Sequence, residues 1–73
     1  MERIRVHIIY LDVEWKGLTV YYFDGDDVYY TILLNSKYND QTLCEAYDHE
    51  IDHINQGDFH CMIPADQIES IVA

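Results

Sequence analysis

The sequence is short of basic residues, proline, glycine and cysteine. Arg3, Arg5, Lys16 and Lys37 are its four cations against fourteen Asp and Glu, for a formal net charge of −10. Gripping a nucleic-acid backbone requires a basic surface, so direct nucleic-acid binding is not expected. The same charge suits a basic protein partner or substrate, steered in electrostatically. One proline and three glycines leave no candidate for a linker or a low-complexity tract. The two cysteines, Cys44 and Cys61, form neither a CxxC pair nor a disulfide framework. Cys44 falls on an expected helix and reads as a small buried or half-buried thiol. No hydrophobic run approaches the length of a membrane span. The apolar stretch at 6–11 is too short for a signal peptide and lies over an expected strand. The expectation is a cytoplasmic protein away from membranes, with its oligomeric state open.

Hydrophobic residues make up 49% of the 73 positions, which argues against disorder and for one domain, 1–73. A chain of this size buries only roughly 60–65% of the surface it exposes when unfolded, so its core is marginal. A metal held by the folded state alone would add stability by mass action.

Residues 3–11 alternate Arg3, Arg5 and His7 with Ile4, Val6 and Ile8, the period of a half-buried strand with a solvated His7. Gly17 suits a turn. A second strand is expected at Leu18–Phe23, and Asp24-Gly25 is a strong hairpin signal into a third, Val28–Asn35. The acidic turn lacks the spaced oxygen ligands of a calcium loop. Tyr21, Tyr22, Tyr29 and Tyr30 sit where they can stack across the hairpin. A helix follows from about Asp40 to Gln56, capped by Asn39 or Asp40 and ended by Gly57. Residues 57–63 connect to a short last helix, Pro64–Val72, opened by its proline. The expected class is α+β: a three-stranded antiparallel sheet, then a long helix, then a short C-terminal helix.

The long helix carries His49-Glu50-Ile51-Asp52-His53, an HExxH pattern. Two imidazoles four residues apart share one helix face, where one Zn²⁺ can take a nitrogen from each with a glutamate beside them. A chance match in a chain of this composition has odds of roughly 1–2%. With His49 at zero, His53 falls at about 40° and Glu50 at about 100°, beside an apolar stripe of Leu43, Tyr47 and Ile54 at about 120–160° and Ile51 at about 200°. Glu45, Asp48 and Asp52 take the solvated side. The histidines thus border the core, with support on one side and access on the other. A catalytic zinc needs a third protein ligand. Asp58, His60, Cys61 and Glu69 can each supply it, and spacing does not choose among them.

Tyr30–Asn35, then Glu45–Ile54, then Gly57-Asp58-Phe59 give the chain a family resemblance: it resembles the ImmA/IrrE-like zinc peptidases, most of all their short phage and mobile-element members. The resemblance covers about residues 18–73. It implies a minimal zincin-like core, a small sheet packed on the HExxH helix. It implies Glu69, in Ile68-Glu69-Ser70-Ile71-Val72-Ala73, as the third ligand beside His49 and His53, and a repressor or other DNA-binding protein as substrate. Asp52 stands where longer members usually carry a small residue.

Two functions follow as expectations. One is a zinc-dependent peptidase in which Glu50 handles the proton. There Thr31, Ile32, Leu33, Leu34 and Asn35, if they form a sheet edge, pair with an extended substrate. The other is an acidic inhibitor of the phage anti-defence kind, which binds a nucleic-acid-handling protein by mimicking phosphate charge, without catalysis.

Overall fold

The computed structural model describes residues 3–67, with β1 at Ile4–Ile9, β2 at Gly17–Asp24, β3 at Asp27–Asn35, α1 at Asp40–Gln56 and β4 at Ile63–Pro64. Two 3-10 turns, Phe59–Cys61 and Ala65–Gln67, flank β4. The class is α+β, with one α-helix against one sheet among the described residues.

The sheet differs from the expected antiparallel triplet. Among the described residues it is mixed and four-stranded, in the order β1-β3-β2-β4. β2 and β3 form the antiparallel hairpin, while β1 runs parallel to β3 and β4 parallel to β2. In the hairpin turn Gly25 has φ 65° at the first central position, the place where a type II′ turn requires a positive angle. The cause of the mixed order lies between β1 and β2. Residues 10–16 make no tight turn; they loop away so that β1 joins the far side of β3.

Asn35 holds that loop in place. Its fully buried side chain accepts from the Leu11 and Lys37 amides, each at 3.1 Å. It donates to the carbonyls of Trp15 at 3.1 Å and Val13 at 3.4 Å. The Tyr38 hydroxyl donates to the Glu14 carbonyl from the other side. A strand ending in asparagine is therefore what ties the irregular segment to the sheet, since each buried backbone group needs a partner.

The central position of β3 corrects the expected substrate edge. Thr31, Ile32, Leu33, Leu34 and Asn35 are paired to β1 on one side and β2 on the other, so they have no free backbone to offer a peptide. Ile32 and Leu34 are buried under α1 with Leu43, and Ile4, Tyr38, Ala46, Tyr47, Ile51 and Ile54 pack around them. The helix thus buries the stripe its periodicity marks out. β1 is not half-buried: Arg5 to Ile9 are all exposed, because α1 lies over β2 and β3 and leaves the β1 edge uncovered. Cys44 is likewise exposed rather than buried. Pro64 belongs to β4 instead of opening a helix; it sits at the sheet edge, where its missing N–H leaves no gap in a ladder. The rest of the expected last helix, 68–72, lies outside the described residues.

The four tyrosines divide between the two faces. Tyr22 and Tyr29 stack with centroids 5.2 Å apart. Tyr21 and Tyr30 lie on the helix face, where Phe59 packs against both, at 4.9 and 6.4 Å.

Candidate metal centre

Helix-end chemistry builds much of this site. At the start of α1 the Asn39 side chain accepts from the Thr42 amide at 2.8 Å, satisfying one of the free donors there. At the other end Gly57 takes a left-handed φ of 68°. Its N–H donates to the Ile54 carbonyl at 3.1 Å, and the Asp58 N–H donates to the His53 carbonyl at 3.0 Å. These two bonds are a Schellman ending. Its geometry folds the chain back by one turn and sets the Asp58 carboxylate beside the His53 ring.

His49 is exposed and His53 half-buried, and their Nε2 atoms lie 3.0 Å apart. Two bare nitrogen lone pairs repel at that range unless a proton or a cation lies between them. Two nitrogens bound to one tetrahedral zinc at about 2.0–2.1 Å sit about 3.3–3.4 Å apart, so the pair is close to ligating geometry. Asp58 Oδ2 lies 3.4 Å from His53 Nδ1, long for a hydrogen bond but on the far nitrogen of the ring. A proton kept on Nδ1 by that carboxylate leaves Nε2 as the free lone pair, the arrangement in which carboxylates orient metal-binding histidines. The structure therefore places Asp58 behind His53, not beside His49 as a third ligand to the same ion.

Glu50 turns inward and is 7% exposed. Its Oε1 accepts from the Thr19 hydroxyl at 2.8 Å, and Thr19 itself is fully buried. Thr19 lies on the helix face of β2 opposite Ile32. The helix reaches it because Gly17, two residues earlier on that face, has no side chain. A Cβ there would stand 3.2 Å from the Ala46 Cβ and 3.3 Å from Leu34 Cδ2. Thr19 was not singled out in the sequence. The only available signal was a small polar residue two positions after a glycine on one strand face.

His49, Glu50 and His53 each bring a ligand atom within 4.8 Å of the others. His53, Asp58 and Cys61 form a second such group, on the Nδ1 side of the same ring. His60 is exposed and joins neither group, and Glu69 lies outside the described residues. Beside His49 an open groove of about 360 Å³ runs between α1 and the start of β2, lined by Lys16, Gly17, Thr42, Glu45 and Ala46. No family model, no curated protein and no solved structure matches the chain.

Proposed function

We propose that this chain is a zinc-dependent, peptidase-like domain of the ImmA/IrrE-like kind, acting in the cytoplasm on a basic protein such as a repressor. The observation that carries the reading is Glu50. A carboxylate buried in a marginal core, held by one hydroxyl, is costly to stability. Here it lies beside two imidazole nitrogens that face each other at 3.0 Å. That combination suits a hydrolytic site better than a structural one.

His49 and His53 would hold Zn²⁺ through Nε2, with Glu69 as the third ligand. When bound, the ion supplies a Lewis acid that polarises a carbonyl and makes water acidic near neutral pH. The protein residues then have distinct tasks. Thr19 fixes Oε1 of Glu50 and leaves the second carboxylate oxygen to take a proton from the attacking water and deliver it to the leaving amine. Asp58 holds the His53 ring in orientation. β4 pairs only with Val20 and Tyr21 of β2. Gly17 to Thr19 thus have no strand neighbour on that side among the described residues, and Gly17 lines the groove beside His49. An extended substrate lies along this half-edge in place of β3.

The test separates metal, chemistry and binding. The wild-type chain is expected to take up one equivalent of zinc and to cleave members of a quenched-fluorescence library of basic peptides. Glu50→Gln keeps the bond from Thr19, should retain the metal, and should lose cleavage by about 10²–10⁴-fold. Uptake below a tenth of an equivalent contradicts the reading. The net charge of −10 and the scarcity of cations favour one second reading, an acidic inhibitor of a nucleic-acid-handling protein. Under that reading Glu50→Gln keeps full function, and partner binding weakens steeply with salt.

A further inference from the structure

We propose that β1 is a docking edge for an extended segment of a partner protein in which apolar and acidic residues alternate. Among the described residues β1 pairs with β3 alone and forms one outer edge of the sheet. The Tyr30 N–H donates to the Arg3 carbonyl and the Ser36 N–H to the Ile9 carbonyl, both at 2.9 Å. A strand residue turns its N–H and C=O to one side. Arg5 and His7 therefore face β3 with Arg3 and Ile9, and Ile4, Val6 and Ile8 direct their backbone groups outward. Sheet edges are commonly blunted by proline, lysine or a bulge. This one has no proline or lysine, and it pairs in unbroken register from Ile4 to Ile9.

The two faces of the edge make different demands on an incoming strand. Ile4, Val6 and Ile8 stand in register with Tyr30, Ile32 and Leu34 on the helix face. Val6 is 44% exposed and Ile8 61%. Ile8, Leu34, Leu43, Cys44 and Tyr47 line an open groove of about 660 Å³ between the edge and α1. An added strand would bury its apolar side chains there; Asp40 and Asp48 at the groove disfavour acidic ones. The opposite face carries Arg3, Arg5 and His7. Arg3 pairs with Asp27 at 2.9 Å. Arg5 has no carboxylate partner among the described residues, and its neighbour across β3 is Thr31. Acidic side chains of an added strand would meet Arg5 and His7 on that face.

A second copy fits this edge poorly. Pairing β1 with itself about Val6 sets Arg5 against His7, so a second copy offers Arg5 no carboxylate. The edge is also distinct from the groove beside His49, which lies between α1 and β2.

The test uses the full chain and two blocked peptides, Leu-Glu-Val-Glu-Val-Glu-Leu and its lysine counterpart, at physiological ionic strength. The acidic peptide is expected to bind saturably and to slow amide exchange at Ile4, Val6 and Ile8. The lysine peptide should bind about fivefold more weakly, as expected for reversing the cross-strand charge contact at Arg5. Val6→Pro removes an outward donor and should abolish binding. Ile8→Ser, at an exposed site the fold tolerates, should weaken it about tenfold through lost apolar contact. Any of four results overturns the proposal: no saturable binding, equal affinity for both peptides, protection away from β1, or Ile4, Val6 and Ile8 already protected in a peptide-free dimer.

Discussion

At the scale of single residues, Glu50 and Thr19 are the pair to examine. They are separated by 31 positions, and neither has another side-chain partner among the described hydrogen bonds. Thr19→Val keeps the shape but strips Glu50 of its donor. It is expected to lower stability by about 1–3 kcal/mol, the cost of a buried polar group left unsatisfied. Replacing both, Thr19→Val with Glu50→Leu, should restore or raise stability, because a buried polar pair exchanged for apolar groups is often neutral or better. Denaturant unfolding of the three proteins checks both statements, and a loss carried over into the double variant would refute the pairing argument. Asp58 offers a second residue-scale prediction. Asp58→Asn should weaken zinc binding by about 10–100-fold, the usual effect of removing a carboxylate behind a ligating histidine. A direct ligand would be expected to matter far more, so titration distinguishes the two roles.

Among the elements, local signals were legible and long-range ones were not. The helix bounds, the Asn39 cap and the Gly57 stop follow from side chains within a few positions of each other. The structure places the helix at Asp40–Gln56 with its stop at Gly57, and of the two expected caps, Asn39 and Asp40, it uses Asn39. The hairpin is equally local, since Asp24-Gly25 sets its register. The partner of β1 is a different matter. An Ile4-Arg5-Val6-His7 alternation specifies a strand with two unlike faces but not which strand it joins or how much of it the helix covers. The deciding residue is Asn35, whose side chain fastens a loop 20–24 positions away. Pro64 misled because proline suits both a first helical turn and a sheet edge. Asn35→Ala removes four hydrogen bonds and should cost more than about 3 kcal/mol. It should also speed amide exchange at Leu11 and Lys37 before the β2–β3 hairpin opens. Uniform exchange across the sheet would mean the loop and hairpin unfold as one.

For the whole molecule, the site and the fold depend on each other. Two histidines on one helix turn were readable from spacing. Their support was not: Glu50 is aimed at β2 by the close approach at Gly17, and Asp58 is placed by the Schellman turn. A chain with so small a core, carrying a buried carboxylate and a net charge of −10, should gain markedly from a cation bound only in the folded state. Zinc at 100 times its dissociation constant is expected to stabilise it by about 2.7 kcal/mol, with reversal on chelation. Affinity should fall as the pH is lowered and the ligating imidazoles take up protons. The most direct measurement is a calorimetric zinc titration of the metal-free chain beside His53→Ala. The account predicts one equivalent bound by the wild type and an affinity at least about 100-fold weaker in the variant. Binding below a tenth of an equivalent, or equal binding by both proteins, would contradict it.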